Sequence, residues 1–140
     1  MANSPTVKIG NTTYKNQQIL EVSFSVSTPY SSANGERHGS PAHGTINILK
    51  RLDESDNVWE FAQEKSKSKR FDGEIAFIRD DDNTHTIKKL VWKDGFITHY
   101  EIRIPNIEGS GPTTEFLCIS AREVTVGKVT SKMNWAEKPE

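Results

Sequence analysis

Hydrophobic and polar residues alternate with a period of two along nearly the whole chain. Leu20, Val22, Phe24 and Val26 are interleaved with Glu21, Ser23, Ser25 and Ser27. One face of this segment is therefore apolar and the other small and polar, the mark of a half-buried strand. Thr45–Arg51 resumes the pattern with Ile46 and Ile48 facing one way, and Phe71–Arg79 repeats it. A charged tip, Asp80-Asp81-Asp82-Asn83, predicts a hairpin between Ile75–Arg79 and His85–Trp92. Lys93-Asp94-Gly95 predicts a second hairpin, leading into Phe96–Ile104. A closing pair follows, from Thr114 through Ala121 and from Glu123 to Val129, reached through the Gly, Ser and Pro residues of 105–112. Near the N-terminus, Val7–Ile9 and the residues around Tyr14 read as a short hairpin about Gly10-Asn11.

One segment departs from this period. Ser55-Asp56 offers an N-cap, Val58, Phe61 and Ala62 stand at i, i+3 and i+4, and Lys65–Arg70 places positive charge where a helix dipole favours it. The spacing predicts one helix over about 56–65. About eight short strands with one helix predict a mainly β fold, a compact antiparallel β-barrel, because closing a sheet removes edges that invite aggregation. Residues 1–140 form a single domain in this reading, with the helix plugging one end or side. A barrel of this size fills with its own side chains and leaves little room for a ligand. Trp59 and Trp92 read as packing residues. Function then falls to the outside. The polar strand positions Ser23, Ser25, Ser27, Asn47, Lys50, Glu74 and Lys89 are mixed in charge, suited to lining water or meeting another copy of the chain.

Between the second and third strands lies Pro29–His43, a stretch with no aliphatic residue larger than alanine. Connections in compact domains run to a median of roughly 4–6 residues, so one this long is either disordered or a binding element on a rigid scaffold.

Composition narrows the partners. Eighteen basic and nineteen acidic side chains in 140 residues give a formal charge of −1, so no global field draws the protein to nucleic acid or anionic lipid. Cys118 stands alone among Phe116, Leu117 and Ile119 and reads as a small buried hydrophobe. The first residues lack a basic segment followed by an apolar one, and no run approaches the ~20 apolar residues of a membrane span. The expectation is synthesis in the cytosol without a signal peptide and without membrane insertion, any export using another route.

The search for chemistry returns little. Ser40 is flanked two residues away by His38 and Ala42, and Ser110 by Glu108 and Pro112, so neither sits in a nucleophile elbow. A calcium loop beginning at Asp80 requires Gly at 85 and Glu at 91, where His85 and Val91 stand. His38 and His43 share a loop while His85 and His99 lie on strands, with no supporting Cys or Glu-x-x-His for a metal. Gly109-Ser110-Gly111 precedes a strand rather than a helix, which excludes a phosphate loop. The basic run Lys65–Arg70 has no interleaved aromatics. No cofactor, no metal and no catalytic set follow, and the chain reads as a non-enzyme.

A family resemblance gathers these features. The strand 19–27, the loop Asn34-Gly-Glu-Arg-His-Gly-Ser-Pro-Ala-His-Gly-Thr-Ile-Asn47, the helix around Val58-Trp59-Glu60-Phe61, the segment Gly73-Glu-Ile-Ala-Phe-Ile-Arg-Asp80 and the ending Phe116–Gly127 stand in a telling order. In that order and spacing, the chain from about Thr6 to Lys132 resembles the tube protein of type VI secretion systems, the haemolysin-coregulated protein (Hcp, or TssD). The likeness is strongest to the short form found in Bacteroidota. The resemblance implies hexameric rings stacked into a hollow tube, driven into a neighbouring cell by a contracting sheath. It also implies partners among sheath, baseplate and spike proteins, possible effector cargo in the lumen, and export through the apparatus. Under it, Tyr30, Asn34, Glu36, Arg37, His38 and His43 are expected to join one ring to the next, and the polar strand positions to line the lumen or the subunit interface. The tail 133–140 lies beyond it. Two alternatives remain: a tail-tube protein of a phage or an extracellular contractile injection particle, and a monomeric barrel binding a small ligand such as a sugar or lipid.

Overall fold

The computed structural model describes residues 5–15, 18–65, 69–78, 86–106, 109 and 111–133. Its spine is a pair of long antiparallel strands, β8 (Thr86–Arg103) and β9 (Thr114–Val126), paired from Leu90 opposite Val126 to Arg103 opposite Thr114 with one register shift between Ile97 and His99. Around them the main sheet runs β2 (Thr12–Tyr14), β1 (Thr6–Ile9), β7 (Phe71–Ile78), β8, β9, β6 (Ile46–Arg51), β3 (Ile19–Ser23), with β10 (Val129–Lys132) also on β9. β4 (Val26–Ser27) and β5 (Ala42–His43) form a separate two-stranded sheet. The main sheet curls around an apolar core that includes Val7, Ile9, Ile46, Ile48, Ile75, Leu90, Trp92, Leu117 and Ile119. This half-barrel is the mainly β, one-helix fold that alternation predicts. Among the described residues its hydrogen-bond ladder does not close, because no strand pairing joins β2 to β3. The chain itself makes the step there, where the Lys15 amide donates to Gln18 Oε1 (3.2 Å) between the two strands.

The largest departure from expectation lies at Lys93-Asp94-Gly95. This triplet does not turn the chain: β8 passes straight through it. Opposite β7, Phe71 pairs with Gly95 and Gly73 with Trp92, so β8 carries one extra residue, a β-bulge. Asp94 adopts the left-handed φ of 56° there, and its amide donates to Asp72 Oδ1 (3.0 Å). Its carboxylate accepts from Arg122 Nε (2.8 Å). The bulge answers the same local demand for a positive φ that made the triplet read as a turn. β9 is likewise one strand where two were expected, and the chain reverses later, at Gly127 (φ 65°), to begin β10.

The N-terminal hairpin forms about Gly10 (φ 61°), as its sequence predicts. The helix α1 is shorter than expected, Asn57–Gln63, and Ser55 Oγ accepts the Asn57 amide (3.2 Å) at its start. Val58 is buried and Phe61 stacks on Phe71 with ring centroids 4.2 Å apart. Trp92 is fully buried, but Trp59 is half exposed, lying against Tyr100. In β3 a register shift between Ile19 and Glu21 turns Ile19 inward and Leu20 out, and Val26 is also exposed, so only Val22 and Phe24 of the expected apolar face reach the core. The hairpin tip Asp80–Asn83, His85, the middle of the basic run at 66–68, part of the 105–112 connection and the tail 134–140 lie outside the described residues.

Lys50 is a second correction. It is fully buried, not on the outer face. The period of two puts it on the side of Ile46 and Ile48, and that geometry outweighs its charge because a partner waits there. Its Nζ reaches Glu115 Oε1 (2.5 Å), the Arg51 carbonyl (3.0 Å) and Asp53 Oδ2 (3.5 Å), and lies 4.9 Å from the centre of the Tyr14 ring. The Tyr100 hydroxyl donates to Glu115 Oε2. Burial, and after it this hydrogen bond, push the Tyr100 hydroxyl well above the ordinary tyrosine range.

Two measurements check this account. A Cβ on Gly73 would stand 2.2 Å from Trp92 Cζ2 and 2.4 Å from the Lys8 carbonyl oxygen. Gly73→Ala should therefore cost about 2–4 kcal/mol in urea unfolding. Gly35→Ala, with open space and only a positive φ to resist it, should cost about 1 kcal/mol. Glu115→Ala removes the nearer of the two carboxylates at the buried Lys50, leaving only the more distant and partly exposed Asp53, and should cost about 3 kcal/mol, whereas Lys50→Met with Glu115→Leu should recover most of that loss; equal losses would show that the charges do not act as a pair.

Candidate assembly surfaces

The residues of Pro29–His43 form an ordered arm, not a featureless loop. Tyr30 and Arg37 face each other in a β-bridge, the Ser31 amide donates to the Glu36 carbonyl (2.8 Å) and the Gly35 amide to the Ser31 carbonyl (2.7 Å). Asn34 Oδ1 accepts the Glu36 amide (3.0 Å), and Gly35 takes a φ of 77° to close the tip. Tyr30, Asn34, Glu36, Arg37 and His38 are all exposed on it. His43 is not with them: it is buried at the root of the arm, its ring bonded to Ser131 Oγ and the Ala121 carbonyl.

The polar strand positions fall in separate places. Ser23 and Asn47 are paired and hydrogen-bonded on the outer face (3.2 Å). Ser25 and Ser27 sit on the arm side, where the Ser25 carbonyl accepts the Gly44 amide. Glu74 and Lys89 lie on the half of the sheet where β1, β7 and the start of β8 meet. A shallow cleft there is lined by Lys8, Gly10, Asp72, Gly73, Glu74 and Val91.

Sequence reasoning missed a strand edge. β7 stops opposite Gly95, so residues 97–103 of β8 have β9 on one side and, among the described residues, no strand on the other. Together with β9, β6 and β3 this segment makes a four-stranded antiparallel sub-sheet whose two outer edges, 97–103 and β3, both lack a further strand partner among the described residues. Ile102 (49% exposed) lies at one edge and Leu20 (40%) at the other. The outer face of the sub-sheet carries Ser23, Asn47, Cys118 and a cluster in which Glu101 accepts from Arg103 Nε (2.5 Å) and pairs with His99 (3.2 Å). The Arg103 guanidinium rests 4.3 Å from the Phe116 ring centre. Arg103, then His99, hold the Glu101 carboxyl below the usual carboxylate range. The signal was present in the alternation of 96–104, but reading 93–95 as a turn supplied that segment with a hairpin partner it does not have.

Among the described residues no three His, Cys, Asp or Glu side chains stand close enough to hold a metal ion, and no helix is long and apolar enough to cross a membrane. Cys118 is half-buried, and burial pushes its thiol up.

The architecture is shared with known proteins. The chain superposes on Hcp1 from Flavobacterium johnsoniae with a TM-score of 0.80 at 23% identity, over 93% of this chain and 99% of that one. It superposes on a second Hcp protein at 0.76 and 17% identity, over 96% and 100%. A chain of the PVC sheath–tube complex, an extracellular contractile injection system in its extended state, matches at 0.60 and 12%, over 92% and 91%. Among curated proteins none matches significantly. Residues 3–136 match the model of the haemolysin-coregulated protein Hcp (TssD), and with nearly its whole length inside that match the chain belongs to the Hcp (TssD) family.

Proposed function

We propose that this protein is the structural, non-catalytic subunit of the tube of a contractile type VI secretion apparatus, assembling as hexameric rings that stack into a hollow, exported tube. The observation that carries the proposal is the four-stranded sub-sheet, whose two edges have no strand beside them among the described residues. An even number of antiparallel strands leaves the edges at 97–103 and β3 running in opposite directions. One copy's β3 thus meets the next copy's β8 in the antiparallel sense, the pairing that main-chain groups favour. Such a head-to-tail contact is heterologous and closes into a ring when its rotation divides a full turn. Ser23, Asn47 and the His99–Glu101–Arg103 cluster, on the outer face of the sub-sheet, would then line the water-filled lumen, where effector cargo travels.

The arm supplies the second contact in this reading. It stands on the sheet's margin with Tyr30, Glu36, Arg37 and His38 exposed, and docks on the neighbouring ring. Exposed ion pairs contribute about 0–1 kcal/mol each, so stacking is weak per subunit and strong through repetition around the ring. Sheath, baseplate and spike proteins complete the assembly. The likeness to the PVC complex favours one second reading, a tube of an extracellular contractile particle, which shares the ring logic and which neighbouring genes distinguish.

Light scattering should give a mass several times the 15.8 kDa of one chain, and Leu20→Asp with Ile102→Asp should reduce it to a monomer. A wild-type monomer would refute the tube reading and favour a ligand-binding barrel. Deleting residues 31–42 should leave the rings intact and abolish tubes in negative-stain images; loss of the rings would remove this segment from stacking.

A further inference from the structure

The arm has no core of its own. Every residue from Ser32 to Pro41 is exposed, and the two-stranded sheet at its base pairs just two residues a side, Val26 with His43 and Ser27 with Ala42. An isolated hairpin of this size is marginal in water, so its direction has to be set where it joins the sheet. At that point stands His43, 7% exposed and part of β5. Its Nε2 lies 2.7 Å from the Ala121 carbonyl oxygen in the middle of β9. A carbonyl only accepts, so Nε2 carries the proton and donates. Its Nδ1 lies 2.7 Å from Ser131 Oγ on β10, a hydroxyl that can donate to the ring nitrogen or accept from it. Phe24, at the other root of the arm, packs with its ring centroid 6.3 Å from the imidazole.

We infer that His43 is the positioning residue of the arm: its two hydrogen bonds lock the arm's root to β9 and to the β9–β10 hairpin, and so fix the direction in which Tyr30, Glu36 and Arg37 are presented to a second ring of this chain. The inference rests on the stacking role given to the arm above. One buried imidazole ties the arm's root to two strands at once, beside the packing of Phe24 on the core, which makes the aim of the arm rigid while its tip stays in water. Repetition around a ring rewards such rigidity, because every copy must engage in the same register.

Amide hydrogen exchange and negative-stain imaging of the full chain test it together, with His43→Ala, His43→Gln and Ser131→Ala beside the 31–42 deletion. In His43→Ala, exchange at 24–28 and 42–45 should accelerate about tenfold or more while the β8–β9 ladder keeps its protection. Tubes should be lost and rings retained. His43→Gln, whose amide can still donate toward Ala121, should restore part of both signals, and Ser131→Ala should give a smaller loss. Unchanged exchange at the root, acceleration spread equally through β8 and β9, or normal tubes from His43→Ala would each overturn the inference. If the deletion variant also forms tubes, the stacking role of the arm falls with it; if only His43→Ala forms them, that role stands and the inference alone is lost.

Discussion

The continuous antiparallel ladder of β8 and β9 is the constraint from which the rest of the molecule hangs. On its upper part β7, β1 and β2 extend the sheet from β8, and on its lower part β6 and β3 extend it from β9. The two halves are offset, so the sheet wraps around a core instead of lying flat. The bulge at Asp94 accommodates this offset, adding one residue to β8 just where β7 ends and tightening the local twist. Trp92 fills the space beneath, with Gly73 and Gly95 so close that a Cβ on either would collide with the indole. Because β8 outruns β7, one strand serves both the packed interior and an edge that, among the described residues, has no strand beside it.

The region below that open segment is held by charge rather than by another strand. Lys50 and Glu115 neutralise each other at the margin of the core, and Tyr100 ties Glu115 to the segment of β8 that β7 no longer covers. Trp59 of α1 lies against the Tyr100 ring, and Asn57 reaches Tyr14 and the Ile9 carbonyl, so the short helix closes the side of the half-barrel near β1 and β2. A helix of seven residues has little stability of its own, and these contacts supply it. A buried ion pair gives modest net stability, but losing either partner is costly, which ties the open edge to an intact core.

Rigidity and exposure are divided cleanly between the barrel and the arm. The half-barrel buries a core of apolar side chains, leaves others such as Leu20 and Ile102 exposed at its edges, and presents mostly polar ones on the sub-sheet's outer face. The arm, in contrast, buries almost nothing beyond its root and satisfies its own backbone through the Ser31–Glu36, Gly35–Ser31 and His38–Pro29 bonds. Such an element can project from the surface without unfolding, and its orientation is inherited from the strands that hold His43.

Local patterning determined much of this. Alternation located the strands at 46–51 and 71–78, the change of period located α1, Gly10 located the first hairpin, and the order of these features revealed the family. Alternation also carried the inward direction of Lys50, which its charge concealed. What the sequence could not decide by itself was pairing. A positive φ at Asp94 serves a turn and a bulge equally well, and the choice between them depends on Asp72, Arg122 and Trp92, which come together only when β7, β8 and β9 are assembled. The same is true of Leu20, turned outward by a register shift against β6, and of His43, whose partners on β9 and β10 lie far along the chain. Side-chain period is a local property of the backbone, whereas register, bulges and open edges are settled by contacts between distant segments, and there the tertiary structure alone decided.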